Sequence, residues 1–233
     1  MDTHTPLLAQ GDGASDPGNS GSPPRRSRLV RVLRAAFGSF AIFLLVVLGL
    51  LWYIGVFGGN VRTVVPDHVY RSAQLTDGTL ANVLRKDHIQ TVINLRGSCP
   101  TDAWYQSEIG VCRKLGVHHV DISFSATHLP PPAQIDKLIK TFDTSEYPVI
   151  MHCMGGADRT GLACTVYMDM YQHQPLDLAE AQDLTLRYGH FKFSSSRAMD
   201  HFFDLYRKTG DGLSLRQWIF NRYPAIYERQ PDR

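Results

Sequence analysis

The sequence has 233 residues, of which 43% are hydrophobic and 20% are charged, and its formal net charge is +2 at pH 7. The hydrophobic fraction excludes a mostly disordered chain, and four cysteines are too few for a small domain held together by disulfides. Outside residues 1–34, which hold five Arg and three Asp, the numbers of basic and acidic side chains are equal. A neutral main body excludes a protein that binds nucleic acid through a basic face.

The N-terminal segment is predicted to be a tail. Residues 1–24 are rich in Gly, Pro, Ser and Asp, and the basic run Arg25–Arg34 follows them. Such a composition buries too little apolar surface to offset the entropy that is lost on ordering. We therefore predict a disordered basic tail over residues 1–34.

Residues 35–57 contain no charged side chain. As a helix this segment would be about 34 Å long, enough to cross a hydrocarbon core of about 30 Å. Trp52 and Tyr53 near its far end suit the membrane interface. These features predict a single transmembrane helix. A buried core helix and a cleaved signal peptide are the alternative interpretations.

The arginines predict the orientation of this segment. Five of them precede it and only Arg62 follows closely, so the positive-inside rule places the N-terminus in the cytoplasm. We expect residues 60–233 to form one domain on the extracytoplasmic side, which is the periplasm if the protein is bacterial.

Strand and helix patterns alternate in this domain, and its last part has helical patterns only. The predicted strands are Thr91–Leu95, Val117–Ile122 and Pro148–Met151. Apolar residues at helical spacing lie in Trp104–Leu115, Ile135–Phe142 and Met199–Tyr206. Capping boxes are predicted at Asp177 with Glu180 and at Ser214 with Gln217. The order predicts an α/β fold with a central, mostly parallel sheet flanked by helices.

The most informative segment is the Gly-rich loop His152–Gly161, which follows the third strand and precedes a predicted helix. Backbone N–H groups in such a loop converge on one point, and the helix N-terminus adds positive potential, so the loop is suited to bind an anion. In the same field Cys153 is favoured as a thiolate. A thiolate that faces a bound phosphate is a nucleophile for phosphorus.

Arg159 follows Cys153 by six residues. Its planar guanidinium can hold two phosphate oxygens and can stabilise the charge of the transition state. The hydroxyl of Thr160 can donate a hydrogen bond to the thiolate when the phosphoryl group leaves it.

The His-Cys-x5-Arg-Thr-Gly pattern resembles the Cys-based protein tyrosine phosphatase superfamily, and most closely its dual-specificity-like and bacterial atypical group. The resemblance extends over residues 65–190 and includes Val69–Gln74 and Asn94–Gly97. It implies a phosphatase-like fold and hydrolysis of phosphomonoesters through a phospho-cysteine, without a metal or another cofactor. It also implies that Cys153 is the nucleophile and that His152 holds the loop. The residues implied to surround the phosphate are Met154, Gly155, Gly156, Ala157, Asp158 and Arg159.

Three residues are candidates for the acid that protonates the leaving group. Asp121 lies 32 residues before Cys153, but in a predicted strand. Asp158 lies beside Arg159 in the loop, and His128 lies in the segment that follows Asp121. The alternative roles are a strand-end hydrogen bond for Asp121 and an ion pair with Arg159 for Asp158.

The loop also bears on the substrate. Its variable positions include no Lys and one acid, Asp158, so a polyphosphorylated headgroup is not attracted. We expect a phosphorylated protein, with phosphotyrosine, or another phosphomonoester as the substrate. Two alternative functions are a catalytically weak or dead phosphate-binding scaffold and a rhodanese-like sulfurtransferase. Thr160 and Gly161 argue against the latter.

Overall fold

The computed structural model describes residues 25–230, and for residues 25–27 and 54–57 it describes the backbone only. The predicted disorder of residues 1–24 therefore lies outside the described residues. The chain divides into two compact units, residues 1–48 and residues 49–233.

Helix α1 covers Arg25–Phe57 and contains all of the described part of the first unit. It begins ten residues before the predicted span, because Arg, Leu and Val continue the helix. The basic run thus belongs to the helix and not to a tail. Within α1, Arg28–Tyr53 is long and apolar enough to cross a membrane, with a mean hydropathy of 2.4. None of that apolar stretch is buried, unlike the core helix of a soluble protein.

A five-stranded sheet lies at the centre of the second unit among its described residues. The strands are β1 Arg62–Val65, β2 Val69–Ser72, β3 Thr91–Asn94, β4 His118–Asp121 and β5 Val149–His152. Their order is β1-β2-β5-β3-β4; β1 is antiparallel to β2, and the other neighbours are parallel. The predicted mostly parallel sheet is confirmed, and the three predicted strands agree with β3, β4 and β5 to within one residue.

Eight α-helices follow or connect these strands among the described residues. They are α2 Asp77–Lys86, α3 Ala103–Leu115, α4 Pro132–Thr144, α5 Asp158–Tyr171, α6 Leu176–Asp183, α7 Ala198–Thr209, α8 Leu215–Asn221 and α9 Tyr223–Tyr227. Side chains alternate between the two faces of each strand. Val92 and Ile150 therefore pack on one face with residues of α2 and α3, whereas Ile93 and Met151 pack on the other with residues of α4 to α8.

The predicted capping boxes have different outcomes. At α8 the Ser214 hydroxyl accepts from the N–H of Gln217, and the box is complete. At α6 the prediction is wrong: the helix begins at Leu176, directly after Pro175, and the caps are not made by side chains. The carboxylates of Asp177 and Glu180 pair with Arg207 of α7 instead.

The parallel strands end together at one edge of the sheet. Ser72, His152, Asn94 and Asp121 occupy one row of the strand register there. Because ligands of open α/β sheets bind beyond the carboxyl ends of the strands, this edge is where a site is expected.

Candidate active site

The loop from Cys153 to Ala157 joins β5 to α5 at this edge. Gly156 has φ +67°, and a Cβ atom at this position would lie 2.5 Å from the backbone oxygen of Ser72. Only glycine fits such a position. A Cβ at Gly161 would lie 2.7 Å from the backbone oxygen of Asp183. These two glycines let the loop and the start of α5 lie directly on β2 and the end of α6.

Cys153 is the cysteine that the fold places in this loop, with 2% of its surface exposed. All four cysteines of the sequence are free. Burial raises the pKa of Cys112, to about 12, and that of Cys164, so these two remain thiols that serve as core side chains. Cys99 is half-buried, in the loop that follows β3.

A buried guanidinium donates hydrogen bonds to the carbonyl oxygens of the loop. The fully buried Arg71 donates through Nη2 to the carbonyl oxygens of Gly156, at 2.9 Å, and Ala157, at 3.4 Å. Its Nη1 pairs with Asp183 Oδ1 at 3.0 Å, and its guanidinium carbon lies 3.7 Å from the centre of the Tyr188 ring.

Asn60 completes this support. Its Nδ2 donates to the carbonyl oxygen of Gly155 at 3.1 Å and to that of Tyr188 at 3.0 Å. The carbonyl oxygens of residues 155–157 thus face Asn60 and Arg71. In a planar trans peptide the C=O and N–H point in opposite directions, so the following N–H groups are directed away from these donors. N–H groups that are directed to one side of a loop in this way can bind an anion.

A second network fixes the end of β5. Glu108 Oε1 lies 3.1 Å from His152 Nε2 and 2.8 Å from His119 Nε2, and its Oε2 accepts from Gln74 at 2.6 Å. Burial alone would raise the pKa of Glu108, but its histidine partners lower it to about 2. The main-chain oxygen of His152 also accepts from the N–H of Leu95. His152 is therefore held on both sides.

Arg159 and Thr160 lie in the first turn of α5. Nη1 of Arg159 donates to the backbone oxygen of Phe124 at 3.4 Å, so the segment after β4 reaches the start of α5, next to the Cys153–Ala157 loop. The Nε of Arg159 and the hydroxyl of the fully buried Thr160 have no hydrogen-bond partner within the described part of the chain. Buried donors are normally satisfied, so both are available to a ligand.

The three acid candidates lie in different surroundings. Asp121 ends β4, as predicted; its Oδ1 accepts from Asn94 Nδ2 at 2.8 Å and its Oδ2 from the Tyr105 hydroxyl at 2.5 Å. His128 is exposed, and its Nδ1 is bonded to the hydroxyls of Ser125 and Thr127. Both neighbours belong to the segment after β4.

Asp158 Oδ1 lies 2.7 Å from His190 Nδ1. The only ion-pair partner of Asp158 in the described range is thus His190, and the pair with Arg159, which was the alternative role of Asp158, does not occur there. The ring of His190 continues through Nε2 to Asp200 Oδ2 at 2.9 Å.

Sequence reasoning missed Asn60, Glu108, His190 and Asp200. They come from four separate segments, and each is isolated in the sequence without a motif that indicates chemistry. Only the fold brings them to the loop. Arg71 belongs to the segment Val69–Gln74, which was identified from the sequence. Its contact with the loop could not be predicted, because it depends on the pairing of β2 with β5.

A family model and several solved structures are similar to this chain. A family model described as a Swiss Army Knife protein, DSP-PTPase phosphatase domain (PTP-SAK), matches residues 60–202. The crystal structure of TpbA from P. aeruginosa is similar to this chain, with a TM-score of 0.50 and 21% sequence identity. The match covers 62% of this chain and 83% of that one.

The core catalytic domain of PP-IP phosphatase SIW14 from S. cerevisiae is 16% identical over 65% of this chain and 93% of that one, with a TM-score of 0.48. No curated protein matches the chain. The likeness to TpbA shows a shared fold. The family model covers more than half of the chain, including the phosphate loop and its supports Asn60 and Arg71. The chain therefore belongs to the PTP-SAK family of phosphatase domains and is a phosphatase of the dual-specificity, protein-tyrosine-phosphatase type.

Proposed function

We propose that this phosphatase works through a phospho-cysteine on Cys153. The observation that carries the proposal is the position of this buried cysteine, in a loop whose carbonyl groups are held by Asn60 and Arg71 and which leads into the N-terminus of α5. The N–H groups and the helix dipole stabilise both a thiolate and a phosphoryl group there.

The reaction has two steps. In the first, the Cys153 thiolate attacks phosphorus, the S–P bond forms and the bond to the leaving oxygen breaks. Arg159 and the loop N–H groups hold the equatorial oxygens in both steps. In the second, water attacks phosphorus and the electron pair of the S–P bond returns to sulfur. The free hydroxyl of Thr160 donates to this thiolate as it leaves.

We infer that Asp121 protonates the leaving group. It lies at the carboxyl edge of the sheet, in the same register row as His152. Its Tyr105 partner has a hydroxyl that either donates or accepts a hydrogen bond, so Asp121 can hold a proton without losing this contact. His128, in the segment after β4, is exposed, and its hydrogen bonds to the hydroxyls of Ser125 and Thr127 are exposed as well.

The proposed substrate is a monoester of the phosphotyrosine type. The loop presents Met154, Gly156, Ala157 and Asp158 where a polyphosphate-binding loop would carry cations. A loop with one anion-binding centre and no added cation suits a single phosphoryl group.

An assay of the full chain in detergent, with p-nitrophenyl phosphate, a phosphotyrosine peptide and a phosphoinositide, tests the proposal. We expect hydrolysis of the first two substrates and its loss in Cys153→Ser. Faster turnover of the phosphoinositide would contradict the proposed substrate. Sulfur transfer from thiosulfate without ester hydrolysis would indicate the sulfurtransferase, and phosphate binding without turnover would indicate the scaffold.

We also propose that α1 anchors the domain as a single-pass span, with the N-terminus in the cytoplasm. The proposal is supported by the unburied apolar stretch Arg28–Tyr53 and the arginines that precede or begin it. Protease protection of sealed membrane vesicles tests it. With the cytoplasmic face outward, an epitope at the C-terminus should resist protease, and cleavage of this epitope in sealed vesicles would contradict the orientation.

A further inference from the structure

We propose, on the basis of the proposed function, that His190 is a positioning residue whose imidazolium keeps Asp158 ionised, so that Asp158 activates water in the second step while Asp121 serves as the acid of the first. The proposal divides acid and base work between two carboxylates.

The geometry places one imidazole between two carboxylates. His190 Nδ1 lies 2.7 Å from Asp158 Oδ1 and Nε2 lies 2.9 Å from Asp200 Oδ2, and the ring is completely buried. Two close contacts of this kind need two protons. An imidazolium supplies both from its own N–H groups and leaves both carboxylates ionised.

The surrounding charges favour this distribution of protons. Asp158 on α5 and Asp200 on α7 face the ring directly. Lys192 lies 3.9 Å from Asp200 Oδ1 and 3.5 Å from Glu180 of α6, so it balances part of the negative charge. Burial alone would lower the pKa of His190, but Asp158 and Asp200 raise it to about 9.

Asp158 is consequently an acceptor at Oδ1. An imidazolium N–H can only donate, so a proton on Asp158 would have to displace one from His190. The carboxylate also lies in the first turn of α5, where the helix dipole favours a negative charge. Its Oδ2 has no hydrogen-bond partner in the described region, and 24% of the side chain is exposed. This oxygen is free to take a proton from water.

The proton balance of the second step follows. Water forms the new P–O bond, the S–P bond breaks, and the electron pair returns to Cys153 as a thiolate. The proton of the water moves to Oδ2 of Asp158 and then to solvent, and Asp121, which gave its proton to the leaving group in the first step, regains one from solvent. His190 keeps its proton throughout, so it positions and charges the base without itself contacting the reacting atoms.

Rapid-quench kinetics of the full chain in detergent with p-nitrophenyl phosphate test the inference. In Asp158→Asn we expect a burst of about one equivalent of p-nitrophenol, then turnover about 10²-fold slower, with phosphoryl label accumulating on the enzyme. In Asp121→Asn the burst itself should be slower, and more so for phenyl phosphate, whose leaving group is more basic. A slow, leaving-group-dependent burst without accumulation in Asp158→Asn would overturn the inference.

The role of His190 requires a separate readout. In His190→Gln we expect an unchanged burst and accumulation of the labelled enzyme, because Asp158 loses its cationic partner. Asp200→Asn keeps the ring but removes the carboxylate that holds its second N–H, so it should also increase the accumulation, which provides the test if His190→Gln does not fold. His118→Gln, at an exposed histidine, should leave the accumulation unchanged.

Unchanged accumulation of the labelled enzyme in both folded variants would overturn the role of His190. Failure of the proposed function would look different. Hydrolysis that persists in Cys153→Ser would contradict the phospho-cysteine and so the proposed function. Normal labelling of Cys153 without extra accumulation in Asp158→Asn would overturn the inference on Asp158 and leave the proposed function intact.

Discussion

At the scale of single residues, the chemistry proposed for Arg159 depends on the shape of its side chain. A lysine would keep the charge but lose the planar fork that holds two oxygens. We expect kcat/KM of Arg159→Lys to fall by about 10²-fold or more, with unchanged thermal stability. Arg85→Lys, at an exposed position of α2, is the matched control. Wild-type kcat/KM in Arg159→Lys would show that bidentate binding is not needed.

Met154 tests whether the charge of the loop selects the substrate. This side chain is 69% exposed on the loop, so a lysine there adds a cation without disturbing the core. Met154→Lys should raise the ratio of phosphoinositide to phosphotyrosine-peptide turnover, roughly 10-fold if the cation meets one extra phosphate. Met154→Leu is the uncharged control. An unchanged ratio would mean that substrate choice is made elsewhere.

Residue identities near the loop were predictable where a motif carries them. Cys153, Arg159 and Thr160 stand at fixed spacing within one strand–loop–helix unit, so the sequence places them together. Glu108 and His190 could not be found in this way. Their partners His152 and Asp158 are 44 and 32 residues away, and only tertiary packing joins them.

At the scale of elements, the β5–α5 loop depends on glycine at one position more than at its neighbour. Gly156→Ala would force a Cβ against the backbone of β2 in a left-handed conformation. We expect a loss of about 2 kcal/mol or more in the free energy of unfolding. A Cβ at Gly155 meets nothing within 4 Å, so Gly155→Ala should stay within about 0.5 kcal/mol of the wild type. Urea unfolding of both variants measures the difference, and equal losses would contradict the packing argument.

The hydrophobic pattern predicted the strands and helices in the middle of the chain, but it did not always predict where they begin and end. β1 and β2 are four residues each, and their side chains do not give a distinct alternation. At α6 a capping box was predicted, but the helix begins at Leu176, directly after Pro175, and its caps are not made by side chains. The box at α8 forms because Ser214 itself is extended, with φ −63° and ψ 158°, so that its hydroxyl reaches the N–H of Gln217.

At the scale of the whole molecule, two buried clusters set opposite pH limits on stability. The raised pKa of His190, about 9, means that its ion pairs stabilise the fold fully below about pH 6.5 and are lost as the pH rises through 9. The lowered pKa of Glu108, about 2, means that its contribution is present above about pH 4.3 and is lost as the pH falls through 2.

Urea unfolding of the full chain in detergent, measured at several pH values, tests this. The free energy of unfolding should decline between pH 6.5 and 9.5 by up to roughly 3 kcal/mol. His190→Gln should flatten this decline, and His118→Gln should retain it. A decline of equal size in His190→Gln would assign the effect to other groups.

The fold class of the whole chain was predictable because the order of strand and helix patterns restricts the topology. The division of the core into two clusters, one on each face of the sheet, could not be predicted. It depends on which face of each strand packs against α2 and α3. The start of α1 at Arg25 differed from the prediction because charge marks where a membrane span ends and not where a helix ends.

The most direct test of the account is chemical trapping on Cys153. The full chain is mixed with a radiolabelled phosphomonoester, quenched in acid within milliseconds and digested. We expect label on the peptide that contains Cys153, with the acid stability of a thiophosphate, and none in Cys153→Ser. Hydrolysis at the normal rate with no label on that sulfur would contradict the account.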